Sequence, residues 1–304
     1  MGKHPVLFLS FVYVFAALCG VFIYKDSGHI SSGFFGAVSR VVEKDTERVY
    51  ALKTQKKEDG VFSEAVTNEV NALEQTDHEN IVRMVFHSET QRDDPFCIVL
   101  EYMPHDLRGV VEKDEHYPEI KTNTRGILSQ ILRGVAYLHR MEIAHGDINP
   151  NNVLIDAGTM AVKLCDFGNS VDGKKEGSCS PRVLAGYRQD VLSAASLMAY
   201  LYLRKEVFNG NILASTAEHL KDVELLLGSE APCELSPEEN IMAGTYKKME
   251  QVVSKNGMDL FRKLLSPDRA QKDIGCILEH PFFAEGNEQD PSARQGEKET
   301  QLGA

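Results

Sequence analysis

An aspartate, an asparagine five positions on and a second aspartate further along stand in Ala144-His145-Gly146-Asp147-Ile148-Asn149-Pro150-Asn151-Asn152-Val153-Leu154 and Cys165-Asp166-Phe167-Gly168. Asp147 can orient a hydroxyl for attack, and Asn152 and Asp166 offer hard oxygen ligands for magnesium. This is the equipment for metal-assisted transfer of a phosphoryl group from ATP, a reaction run by positioning and charge. Upstream, Ser31-Ser32-Gly33-Phe34-Phe35-Gly36-Ala37-Val38 is a loop whose small residues let backbone amides approach phosphates. Alone, each signal is weak: a single Asp-Phe-Gly is more often a turn, and one Lys or Glu more often a solvated charge.

These residues need elements to carry them. Val49-Tyr50-Ala51-Leu52-Lys53 reads as a strand, and its period of two puts Ala51 and Lys53 on one face. In 64–74, Val66, Val70 and Leu73 recur at helical spacing, so Glu69 sits beside an apolar stripe and can partner Lys53. Phe96 to Val99 is an apolar strand ahead of Leu100 and Glu101-Tyr102-Met103, and Asp106 in Pro104-His105-Asp106-Leu107 is placed to cap the next helix. Ile127, Leu128, Ile131, Leu132, Val135 and Leu138 form a core-facing stripe under the Asp147 loop.

The ordered motifs resemble those of the eukaryotic protein kinase superfamily, and Leu100-Glu101-Tyr102-Met103-Pro104-His105-Asp106-Leu107 is most similar to a divergent cyclin-dependent (cell division) serine/threonine-protein kinase. Asp190-Val191-Leu192-Ser193, Val207-Phe208-Asn209-Gly210 and Leu278-Glu279-His280-Pro281-Phe282-Phe283 extend the likeness. It implies an α+β, bilobal fold: a small β-rich N-lobe (24–103) with one regulatory helix, and a larger, mainly helical C-lobe (104–283). It also implies ATP and Mg2+ as cofactors and a protein substrate. Asp147 is then the catalytic residue, and Asn152 and Asp166 hold the metal. Ile30, Ser31, Ser32, Gly33, Phe34, Phe35, Gly36, Ala37 and Val38 would line the nucleotide, with Ala51, Lys53, Glu69, Glu101, Met103, Asp106 and Leu154. Val38, Ala51 and Leu154 would sandwich the adenine, the 101–103 hinge would read it through backbone groups, and Asp106 would meet the ribose.

The departures from that family bear on mechanism. Gly146 replaces the arginine that receives an activation-loop phosphate, so no cation awaits one. The stretch from Asp166 to Ser180-Pro181-Arg182 is shorter than the family's and contains serines but no Thr or Tyr. Asn149 replaces a lysine that contacts the transferred phosphate, which removes positive charge where negative charge develops. Phe34-Phe35 stand where the family carries its inhibitory Thr-Tyr pair. Ser63-Glu64-Ala65-Val66-Thr67-Asn68-Glu69 keeps the glutamate of the cyclin-recognition helix but loses its Ile and Arg, which counts against a cyclin-like regulatory subunit. Arg182 stands where a glutamate ends the family's Ala-Pro-Glu, and Asp268 and Asp273 flank the site of its usual arginine partner, near Gln271; a reversed ion pair is one expectation and a solvated Arg182 the other. The alternative to an active enzyme with a cell-cycle role is a pseudokinase scaffold that binds ATP or a partner.

The whole chain fits one catalytic unit. Its 304 residues, 42% hydrophobic, supply a substantial core without repeats or a long linker. A net charge of −12 argues against a nucleic-acid partner. The six cysteines lack the spacing of a zinc site or disulfide framework. Pro5 to Tyr24 is uncharged over about twenty residues, enough to span a bilayer. Residues 1–23 therefore read as a signal anchor, a signal peptide or a packed apolar extension. The expected location is a membrane, with the catalytic domain in the cytosol, or else the nucleus or cytoplasm. The polar stretch 284–304 is expected to be disordered.

Overall fold

The computed structural model describes residues 24–33, 36–55, 62–88, 96–113, 116–206, 237–265 and 274–285. Five antiparallel strands form the first sheet: β1 (Tyr24–Gly33), β2 (Gly36–Glu43), β3 (Val49–Gln55), β4 (Met84–His87) and β5 (Phe96–Glu101), in the order β1-β2-β3-β5-β4. Strand alternation explains β5, whose residues 96–100 are all buried. Phe96, Ile98 and Leu100 point into the main core, while Cys97 and Val99 join Val41 and Leu52 in a smaller cluster on the opposite face. A strand covered on both sides reads as a continuous apolar run. Helix α1 (Glu64–Glu74) crosses between β3 and β4 and buries Val66 and Leu73.

The rest of the chain is mainly helical. β6 (His105–Asp106) leads into α2 (Leu107–Glu112), and Asp106 caps that helix by accepting from the Gly109 amide at 2.6 Å. After α3 (Tyr117–Thr122), α4 (Thr124–Arg140) buries its whole predicted stripe, each of the six side chains at 0% exposure. Each such burial is worth roughly 1.5–3 kcal/mol relative to exposure. β7 (Ile143–Ala144), β8 (Val153–Asp156), β9 (Ala161–Leu164) and β10 (Val171–Asp172) then frame the catalytic stretch, with β6-β8-β9 and β10-β7 as two small sheets. A single turn, α5 (Gly173–Glu176), precedes α6 (Pro181–Leu203), followed by α7 (Pro237–Val252), α8 (Lys255–Leu265), α9 (Gly275–Leu278) and α10 (Pro281–Ala284).

The main core runs through α4, α6 and α8. Helix α6 starts immediately after the short activation segment: Ser180 caps it, accepting from the Val183 amide, and Pro181 opens its first turn, the arrangement both residue types favour. The polar tail begins later than 284. Ala284 closes α10, and Glu285 accepts from Ser254 Oγ and pairs with Arg125; a carboxylate with two partners so near the core is held. Residues 1–23, 286–304 and the 207–210 and 268–273 motifs lie outside the described residues. Among the described residues, no helix is long and apolar enough to cross a membrane.

Candidate active site

Lys53 is the hub of the cleft. On β3 it faces inward, as alternation with Leu52 requires, and its Nζ lies 2.8 and 2.7 Å from the two oxygens of Glu69 and 2.9 Å from Asp166 Oδ1. Glu69 reaches it from the buried face of α1, only 1% exposed. Burial alone would lower the lysine, yet the two carboxylates outweigh it and push Lys53 up to about 12. Burial pushes Glu69 upward, against the pull of Lys53 and of a hydrogen bond from Gln55. Burial would also raise Asp166, but the Lys53 ammonium prevails and holds it below the usual carboxylate range.

The loop carrying Asp147 is fixed from beneath. Asp190 of α6, at 0% exposure, accepts from the backbone amides of His145 and Gly146 at 2.8 and 2.9 Å and bonds His139 Nε2 at 2.9 Å. His145 ties the same loop to the Cys165 carbonyl at 3.0 Å and packs its ring on Phe167, so the loop carrying Asp147 is bonded directly to the one carrying Asp166. Asp147 is clamped by two carboxamides: Asn149 Nδ2 donates to its Oδ1 at 3.0 Å and Asn152 Nδ2 to its Oδ2 at 2.9 Å. Asn149 is thus more than a missing lysine; its own Oδ1 accepts from the Asn151 amide, which fixes the amide for this task.

Asn152 spends its NH2 on Asp147, leaving its carbonyl oxygen as the group available to a cation. The β8–β9 register of Val153 with Leu164 places Asn152 beside Cys165, whose amide donates to the backbone carbonyl of Asn152, one residue from Asp166. A carboxamide oxygen and an ionised carboxylate are a hard donor pair suited to magnesium. Gly146 adopts φ +79°, and a Cβ there would lie 2.5 Å from the Asn169 carbonyl oxygen.

The residues expected to line a nucleotide fall on β1 to β3, β5 and the β6–β8 pair. Ser31, Ser32 and Gly33 pair with Val38, Ala37 and Gly36 across the β1–β2 hairpin; Phe34 and Phe35 at its tip lie outside the described residues. A Cβ on Gly36 would stand 1.9 Å from the Thr54 carbonyl oxygen, so that close crossing requires glycine. Val38 faces Lys53, and Ala51 faces Leu100. Ile30 is 47% exposed near the end of β1. Asp106 and Leu154 are paired in β6–β8. Glu101 spends its side chain on the Arg83 amide and Lys163, while Met103 continues the hinge.

The activation segment is pinned to α1. Asn68 Nδ2 donates to the Gly168 carbonyl at 3.3 Å, Ser170 Oγ donates to the Asn68 carbonyl at 3.4 Å, and Gln75 bonds both Asp172 and Lys174. Arg182 is half exposed and pairs with Glu176 at 2.5 Å and Glu64 at 3.9 Å; Asp268 and Asp273 lie outside the described residues. Sequence reasoning missed Gln55, Asn68 and Gln75. For Gln55 a signal was present: a polar side chain on the inward face of β3.

A two-lobed α+β molecule with this Lys-Glu-Asp hub and a clamped loop aspartate has the architecture of a phosphotransferase. The protein kinase domain family matches residues 24–283, and the chain belongs to that family. It is 29% identical to protein kinase gsk31 of Schizosaccharomyces pombe over 301 residues, covering 86% of this chain and 75% of that protein. It is 30% identical to cyclin-dependent kinase G-1 of Oryza sativa subsp. indica over 267 residues, covering 81% of this chain but only 36% of that protein.

Proposed function

We propose that this protein is an ATP- and magnesium-dependent serine/threonine-protein kinase of cyclin-dependent-kinase-like type, acting in cell-cycle control. The observation that carries the reading is the Lys53 hub, bonded at once to Glu69 and Asp166, beside an Asp147 carboxylate with a donor on each oxygen. Lys53 would hold the α- and β-phosphates while Glu69 fixes its direction. Asn152 and Asp166 would hold magnesium, which when bound neutralises charge on the phosphates. Asp147 would accept the hydrogen bond of the substrate hydroxyl and aim it at the γ-phosphorus, with Asn149 and Asn152 restricting its rotation.

The likeness to a cyclin-dependent kinase supports the subtype, and the short, Thr-free activation segment supports activity without a phosphate switch. A regulatory subunit, if one binds, meets a helix lacking the family's recognition residues. The apolar stretch from residue 5 up to β1, which begins at Tyr24, would attach the protein to a membrane with the catalytic domain in the cytosol; the alternative location is the nucleus or cytoplasm. The test is phosphate transfer from labelled ATP by the purified full chain to a mixed Ser, Thr and Tyr peptide array, beside Asp166→Asn. Label on Ser or Thr peptides that vanishes in Asp166→Asn is expected; no transfer above that control would favour the scaffold reading.

A further inference from the structure

Gln55 stands two residues beyond Lys53 on β3, so the two side chains share the inward face. Gln55 is only 2% exposed, and burying a carboxamide is costly unless it is hydrogen-bonded. Its Nε2 lies 3.1 Å from Glu69 Oε2, the oxygen that Lys53 approaches most closely. A carboxylate only accepts, so the amide must present its NH2 there.

This second donor matters because Lys53 is divided. Its ammonium serves Glu69 and Asp166 together, and nucleotide phosphates would draw it further from Glu69. A carboxylate at 1% exposure whose cation is drawn elsewhere needs another partner to stay ionised and in place. We infer that Gln55 is a positioning residue for phosphoryl transfer: it holds Glu69, and through it Lys53 and α1, in the catalytic arrangement from within the chain. Asn68 secures the same helix from the activation-segment side. The kinetic arm of this inference rests on the kinase reading; the exchange arm does not.

The experiment compares full-length wild type, Gln55→Met, Glu69→Met and the double variant, in ATP titrations and in amide hydrogen exchange of residues 64–74. Methionine keeps the length and volume of glutamine without the donor. Losing a hydrogen bond to a charged group should lower kcat roughly tenfold, with KM for ATP shifted less than about twofold. Exchange across 64–74 should quicken. In the Glu69→Met background, which has no oxygen left to accept from Gln55, the same substitution should change neither readout further, as expected for coupled partners. Gln55→Asn, polar but one methylene short, should behave like Gln55→Met and serves if that variant does not fold. Unchanged kcat and exchange in both single Gln55 variants, or losses of equal size in both backgrounds, overturn the inference. A wild-type chain that transfers no phosphate defeats the kinase reading alone, and the exchange comparison then decides the role of Gln55.

Discussion

Lys53 makes three bonds to two carboxylates, one of them buried, and this changes what its removal should do. Lys53→Met keeps the aliphatic stem, so the sequence alone suggests lost phosphate transfer with little effect on folding. With Glu69 at 1% exposure, the variant instead strands a carboxylate in the core at a cost of about 3–5 kcal/mol. Thermal melts should show that loss alongside absent transfer, and an unshifted melt would refute it. The sign with pH follows from the upward shift. Because Lys53 rises from 10.5 to about 12, its pairing contributes stability fully present below pH 10.5 and lost as pH climbs toward about 12. Wild type should lose stability across that window while Lys53→Met lacks this component, as parallel alkaline melts can measure. Asn149 gives a contrasting case. Lysine there could still donate to Asp147 and would add a cation beside the transferring phosphoryl group, so Asn149→Lys should raise kcat; a flat or lower rate would show that the carboxamide clamp matters more than the charge.

Among the elements, α6 does most to shape the site. Its Asp190 gathers two loop amides and His139 at a fully buried point, so Asp190→Ala leaves three donors without their acceptor. A loss of about 3 kcal/mol or more is expected, seen as a lower melting temperature together with reduced kcat; a variant that melts like wild type would show that water substitutes. Much of this level was legible in the sequence. Period two placed Lys53 inward, period 3.6 placed Glu69 on the covered side of α1, and the six-residue stripe of α4 is buried in full. The start of α6 was harder to see. Ser180-Pro181 carries the cap and first-turn signal of a helix, but its likeness to the end of an activation segment hides that signal. The clamp on Asp147 was not legible at all, because residue type does not give the direction of an amide.

At the scale of the whole molecule, the two lobes are coupled without a phosphate. Asn68, Ser170 and Gln75 pin the activation segment to α1, and the serines there have structural duties: Ser170 is buried, Ser178 donates to Glu142, and Ser180 caps α6. Phosphatase treatment should therefore leave activity unchanged, and silencing by phosphatase would show a modification the geometry does not accommodate. Gly146 makes this arrangement hard to alter. The backbone there sits at φ +79°, with the Asn169 carbonyl oxygen 2.5 Å from where any β-carbon must go, so a side chain at 146 meets both left-handed strain and a main-chain atom that cannot swing aside. Gly146→Arg alone is therefore expected to install no phosphate receptor: the guanidinium would arrive only with a shift of the 169 backbone, so the substitution should lower the melting temperature and leave activity as indifferent to phosphatase as before.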